Sequence, residues 1–142
     1  MNPIQYQQWQ EPNFRAVNKF YRSQKHKGSA SGNDIVYVAY NEDELVGAVR
    51  LVPYDNYYWL RGLYIASVLR NQGIGHTLMM HASEHTRWPI YCFPYKHLIN
   101  FYRQVDYVQL APEQLPNALQ QLYQRHQQKS DNIAAMGIHL QP

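Results

Sequence analysis

An α/β fold, with a mixed and mostly antiparallel sheet of six to seven strands flanked by helices, is predicted by three features of the sequence. Between Ile35 and Ile65, three runs rich in branched and aromatic residues are separated by short polar turns, the mark of strands joined as hairpins. From Gly73 to Arg87 the apolar period lengthens: Ile74, Leu78, Met79 and Ala82 fall at helical spacing, and Pro89 closes the segment. Ile90 to Phe93 returns to a short apolar run, so Tyr57 to Phe93 reads as strand, helix, parallel strand.

The remaining elements follow in order. A short polar strand is expected from Ile4 to Trp9. After the Pro12 to Asn13 turn, Asn13 suits the N-cap of a helix whose Phe14, Val17, Phe20 and Tyr21 share one face. Gly28 to Asn33 is built of turn-forming residues and reads as a loop. Asp34 opens the strand Ile35 to Tyr40; Asn41 to Glu44 is a hairpin turn into Leu45 to Val52; Pro53 to Asn56 is a second turn, before the strand Tyr57 to Ile65. Beyond Phe93, the pattern predicts a helix over Tyr95 to Gln104, a strand at Tyr107 to Leu110, a helix over Glu113 to Gln128 and a last strand from Ile133 to Leu140. The Gln-rich stretch of that last helix keeps a buried face of Leu115, Leu119, Leu122 and Tyr123, so it is not a linker.

Composition narrows the class of function. A chain of 142 residues matches one domain, 1–142. With 45% hydrophobic and 16% charged residues it can fill a packed interior and does not read as disordered. Its apolar runs are a few residues long, against the roughly 20 that cross a bilayer, so a soluble protein without membrane partners is expected. Met1 to Trp9 carries neither a basic nor an apolar leader segment, and a cytoplasmic location is the expectation. A single cysteine, Cys92, excludes an intramolecular disulfide and a cysteine-ligated zinc site. The net charge of +3 suits an anionic ligand.

The stretch that carries chemistry is Leu63-Tyr64-Ile65-Ala66-Ser67-Val68-Leu69-Arg70-Asn71-Gln72-Gly73-Ile74-Gly75. A strand ends, a turn follows, and a basic residue with two glycines spaced one apart opens a helix whose first N–H groups have no partner within it. Such a turn holds an anion: glycine lets a phosphate approach the main chain, the helix dipole favours it, and Arg70 adds a full charge. Two other phosphate loops are excluded. A Walker loop needs Lys and then Ser or Thr after the second glycine, where His76-Thr77 stands. The dinucleotide fingerprint needs a third glycine where Leu78 stands. A glycine turn serving packing alone is the structural alternative.

Arg70-Asn71-Gln72-Gly73-Ile74-Gly75 resembles motif A of the GCN5-related N-acetyltransferases, in which Arg or Gln, two residues, Gly, one residue, and Gly or Ala cradle the coenzyme A pyrophosphate. Downstream, Leu98-Ile99-Asn100-Phe101-Tyr102-Arg103-Gln104-Val105-Asp106-Tyr107 resembles motif B, a Phe-Tyr pair on a helix followed by a Gly-Phe turn. The resemblance runs from about Ile35 to Gln109. Asp106 replaces the usual glycine, a substitution that a left-handed turn tolerates, and Tyr95 replaces the Asn that often opens motif B. The resemblance implies the acyl-CoA N-acyltransferase fold and transfer of an acetyl group from acetyl-CoA to a primary amine in a direct ternary complex. It further implies that the pantetheine lies between the splayed strands Tyr57 to Ile65 and Ile90 to Phe93. Main-chain groups of Leu63, Tyr64 and Ile65 would hold it, one N–H would polarise the thioester carbonyl, and the turn from Arg70, Asn71, Gln72, Gly73, Ile74 and Gly75 to His76 would hold the pyrophosphate. Tyr102 matches the tyrosine that protonates the departing thiolate.

Other residues also bear on function. No general base stands out; Asp55, Glu44 and the phenol of Tyr64 are candidates, and the first two also suit polar turns. His81 and His85 share a helix face, but no third ligand accompanies them and no metal is expected. Cys92 in an apolar strand reads as a buried, inert thiol. Arg15, Lys19, Arg22, Lys25 and Lys27 form a basic run without acids, suited to a solvated face, to coenzyme phosphates or an acidic acceptor, or to RNA. The acceptor classes compatible with the chain are a small-molecule amine, a protein amine and an aminoacyl-tRNA, with the small molecule preferred because the chain has no appended recognition domain. A non-catalytic acyl-CoA-binding module is the alternative function. A homodimer pairing through the last strand, a habit seen in this family, is also compatible.

Overall fold

The computed structural model describes residues 3–140. The hairpins predicted from the local pattern form the middle of a seven-stranded sheet. Strand β2 (Ile35–Asn41) turns through Glu42 and Asp43 into β3 (Glu44–Pro53), which pairs antiparallel with β4 (Tyr58–Ile65). Strand β1 (Gln5–Gln8) lies antiparallel along β2. Beyond β4, the helix α2 (Ile74–Glu84) crosses back and β5 (Ile90–Cys92) pairs parallel to β4, as the change of period implies. The far edge is made by β7 (Ala135–Ile138) between β5 and β6 (Val108–Leu110), giving the order β1-β2-β3-β4-β5-β7-β6. Strand β7 therefore has neighbours on both sides, and the last strand, expected as a route to a dimer, already has both of its edges paired.

The alternation of the strands divides the core into two layers. Tyr37, Val49, Leu51 and Leu60 pack with Leu78, Met79 and Ala82 of α2 and with Tyr102 and Val105 at α3 (Ile99–Gln104). Val36, Val38 and Ala48 point the other way, against Val17, Phe20 and Tyr21 of α1 (Arg15–Ser23). On that second face Trp59 and Tyr91 pack against Leu119 and Tyr123 of α4 (Asn117–Lys129). Helices thus cover both faces.

Element boundaries differ from the sequence pattern where proline or local caps decide. The helix expected from Glu113 begins at Asn117, because Pro116 lacks an N–H and its ring would clash with the carbonyl four residues earlier; Pro112–Gln114 forms a separate 3₁₀ turn. The helix expected from Tyr95 starts as a 3₁₀ turn, Lys96–Leu98, before α3. Asn13 accepts a hydrogen bond from the Arg15 N–H (3.0 Å) at the start of α1, one residue ahead of the cap position. Helix α3 ends as its sequence suggests. Asp106 is left-handed (φ 74), and the N–H groups of Asp106 and Tyr107 donate to the carbonyls of Arg103 and Tyr102, the paired closure of a Schellman motif.

Candidate active site

Strands β4 and β5 pair only at Tyr58–Ile90 and Trp59–Tyr91. From Leu60 onward β4 has no strand partner on that side, so the two strands part and leave a gap. The same stretch of β4 is bent. Its register against β3 slips by one residue between the Ala48–Tyr64 and Arg50–Arg61 pairs, and Gly62 takes a left-handed conformation (φ 65), as a bulge requires. Glycine is needed here twice over, since a Cβ would also lie 3.0 Å from the Tyr21 hydroxyl and 3.1 Å from Arg50 Nε. The Tyr21 hydroxyl donates to the Gly62 carbonyl at 2.7 Å and ties the bulge to α1.

Past the bulge, the Ala66 N–H donates to the Val46 carbonyl of β3. Main-chain groups alternate sides along a strand, so those of Tyr64 turn toward β3 while those of Leu63 and Ile65 turn toward the gap. Of the three residues expected to hold a ligand through their main chain, two therefore present it. The Tyr64 side chain packs in the α1 layer, its ring 4.5 Å from that of His26.

Below the gap lies the N-terminus of α2. Asn71 (φ 65) and Gly73 (φ 83) are both left-handed, which turns the chain sharply into the helix. No side chain caps this end. The first internal bond is Thr77 N–H to the Gly73 carbonyl, so the N–H groups of Ile74, Gly75 and His76 point out of the helix unclaimed by it. Nothing lies within 4 Å of a Cβ built on Gly73: its glycine answers to backbone conformation and leaves the approach open. Gly75 faces Ile65 and the Phe101 ring at ordinary contact distance. Arg70 Nε donates to the Ile65 carbonyl (3.1 Å), which holds the guanidinium at the end of β4.

Tyr102, on α3, is 6% exposed. Burial, with a smaller contribution from Cys92, pushes its phenol far above the ordinary range, so the proton stays on the oxygen. Tyr102 packs in the same core cluster as Cys92, the residue at which β5 leaves β4. The Cys92 thiol is itself pushed up by burial, which agrees with an inert thiol.

The other sequence candidates lie elsewhere. Asp55 is exposed in the turn before β4 and Glu44 is exposed in the β2–β3 hairpin. His85 Nδ1 bonds the His81 carbonyl (2.7 Å), and the two rings stack with Tyr37 and Tyr6 respectively. Among the described residues no group of three His, Cys, Asp or Glu side chains is placed to hold a metal, and no helix is long and apolar enough to cross a membrane. Arg15, Lys19 and Arg22 of α1 line a surface depression with Asn18 of the same helix and Ala30 of the loop that follows.

Sequence reasoning missed the bulge at Gly62, the buried pair Arg50–Asp34 (3.3 Å) and the cluster around Arg61 and Trp59. A glycine within a strand pattern was the signal available for the first. The others depend on which strand residues stand opposite one another.

Residues 32–127 match the family model described as an acetyltransferase (GNAT) domain. No curated protein matches the chain. Among solved structures, Escherichia coli ElaA shares 15% identity at a TM-score of 0.69, over 95% of this chain and 99% of that one. An aminoglycoside 6'-N-acetyltransferase complexed with coenzyme A shares 15% at 0.69, over 96% and 98%. N-acetylglutamate synthase from Neisseria gonorrhoeae, complexed with coenzyme A and N-acetyl-glutamate, shares 11% at 0.69, over 96% of this chain and 35% of that one. The family model spans most of the sequence, and the splayed strands above an uncapped glycine turn are where its two motifs fall: the chain belongs to the GNAT acetyltransferase family.

Proposed function

We propose that the protein transfers the acetyl group of acetyl-CoA directly to a primary amine, a small-molecule amine in preference to a protein or an aminoacyl-tRNA. The observation that carries this reading is the parting of β4 and β5 after Trp59 and Tyr91, with the uncapped start of α2 packed against the end of β4 through Gly75 and Ile65. Beyond those pairs β4 offers an edge of main-chain donors and acceptors, which an extended amide chain such as pantetheine can satisfy. The pyrophosphate then meets the N–H groups of Gly73, Ile74, Gly75 and His76 and the dipole of α2, with Arg70, Asn71 and Gln72 at the rim.

In this reading the amine attacks the thioester carbonyl, whose oxygen takes a hydrogen bond from a β4 N–H as charge develops on it. The C–S bond breaks and the thiolate takes the proton of Tyr102. Tyr102 enters this step with its proton, since burial raises its phenol above the ordinary range. No carboxylate described above lies at the gap, so the ammonium proton leaves to solvent before attack.

Calorimetric titration with acetyl-CoA, alongside an Arg70→Ala, Gly73→Glu double variant whose melting is checked in parallel, tests the binding half. Saturable binding lost in the folded variant supports it; no binding by the native protein refutes it. Thiol release with a panel of amines tests transfer, and binding without release for any amine would favour the acyl-CoA-binding module.

A further inference from the structure

Among the described residues, the Arg61 side chain has no ion-pair partner. The register of β3 and β4 sets Arg50 and Arg61 directly opposite one another, a like-charge pair that works against the sheet. Arg50 is compensated: it is buried, and its Nη1 donates to the Ser29 carbonyl (2.7 Å) and to the Asp34 carboxylate (3.3 Å). Asp34 is thereby committed. Among the described residues the Arg61 side chain makes no hydrogen bond, and its guanidinium carbon lies 4.3 Å from the centre of the Trp59 ring. A guanidinium over an aromatic face keeps its N–H donors available at its edge.

The surroundings of Arg61 add positive charge. His126 of α4 meets the Trp59 ring edge-on, with centroids 5.8 Å apart, and lies within the fields of Arg61, Arg125 and Lys129. His26, which follows α1 and stacks on Tyr64, lies within the fields of Arg50 and Arg61. The carboxylate whose field reaches Arg61 is Asp34, already held by Arg50. The exposed guanidinium of Arg61 is thus left facing solvent amid positive charge.

The position of Arg61 supplies the reason. It stands two residues past Trp59, the last residue of β4 paired with β5, and immediately before the bulge at Gly62. On the acetyltransferase reading, on which this inference rests, that stretch of β4 flanks the thioester. We propose that Arg61, held flat on Trp59, binds an anionic group of the acceptor, so that the amine to be acetylated belongs to a molecule carrying a carboxylate or a phosphate.

The indole N–H signal of Trp59 in a nitrogen-15 spectrum reports occupancy directly, without turnover. The expected result is a saturable shift on titration with glutarate or inorganic phosphate, weakened about tenfold or more in Arg61→Gln, the loss that a charged hydrogen-bonded contact commands. Whichever anion saturates at the lower concentration identifies the carboxylate or the phosphate source. Arg61→Lys, which keeps the charge and loses the fork, should fall between the two. A shift that does not saturate, or that survives unchanged in Arg61→Gln, overturns the proposal. Acetyl-CoA titration of the same samples separates the two readings: coenzyme binding without the anion response leaves the transferase reading and removes the Arg61 site, and the anion response without coenzyme binding does the reverse. With both present, thiol release should favour β-alanine over β-alaninamide, or phosphoethanolamine over ethanolamine, and the preference should vanish in Arg61→Gln; equal rates within each pair in the native protein would overturn the acceptor assignment.

Discussion

Lys25 and Asp106 each end a helix in the left-handed conformation, φ 60 and 74, without being glycine. At Lys25 the closure is the same as at Asp106: the N–H groups of Lys25 and His26 donate to the carbonyls of Arg22 and Tyr21. It brings the His26 ring to 4.9 Å from Tyr21, the residue that ties down the Gly62 bulge. Left-handed strain exceeds the extra chain entropy of glycine, so Lys25→Gly and Asp106→Gly should each stabilise by about 0.5–1 kcal/mol, a rise of roughly 2–4 °C on calorimetry. The opposite sign is expected at Asp34. Asp34→Ala leaves Arg50 buried and unpaired and should destabilise by about 3 kcal/mol, read in urea unfolding, whereas an exposed ion pair would change it by under about 1. For Tyr102→Phe the ring and its packing survive while the proton is lost. Turnover should then fall about 100-fold with the affinity for acetyl-CoA unchanged, and a variant with native turnover would remove Tyr102 from the chemistry.

Helix α2 concentrates the anion-binding argument in one turn. Gly73→Ala meets no neighbour, yet it forces an alanine to φ 83; it should cost about 1 kcal/mol in thermal stability whether or not coenzyme is present. Coenzyme affinity that fell while stability stayed native would mean that the Cβ obstructs the ligand instead. This turn was legible from sequence because its signal is local: a strand, a basic residue, two glycines and a helical period stand within a dozen positions. The β2–β3 and β3–β4 hairpins and the Asp106 closure were legible for the same reason. What escaped was set by pairing at a distance. That Arg50 faces Arg61, that Asp34 reaches Arg50 and that β4 slips by one residue at Gly62 all follow from strand register, which no run of residues announces by itself. The start of α4 shows a further limit, since Leu115 and Leu119 share the helical period while Pro116 between them interrupts the helix.

At the scale of the molecule, the sheet gives its two faces different work. One is closed by α2 and α3, while the other carries α1 and α4, with Trp59, Arg61 and Tyr64 of β4 between them. Both buried-side imidazoles of that second face, His26 and His126, have depressed affinity for protons. Desolvation is the largest cause for each, followed by Arg50 and Arg61 at His26 and by Arg61, Lys129 and Arg125 at His126. In the unfolded chain these histidines titrate near 6.5. Between that pH and their lower native values the unfolded state holds more protons than the native one, so stability rises with pH across the window and is lost as pH falls below about 6.5. Melting temperature should therefore decline from pH 7.5 to 5.5, and His26→Gln and His126→Gln should each flatten the decline; a slope untouched by both substitutions would assign it to other groups. An anion seated on Arg61 would offset one of the charges that depress both imidazoles. Saturating glutarate or phosphate should then shallow the pH slope in the native protein and leave it unchanged in Arg61→Gln, which ties the pH dependence of the whole molecule to one unpaired guanidinium.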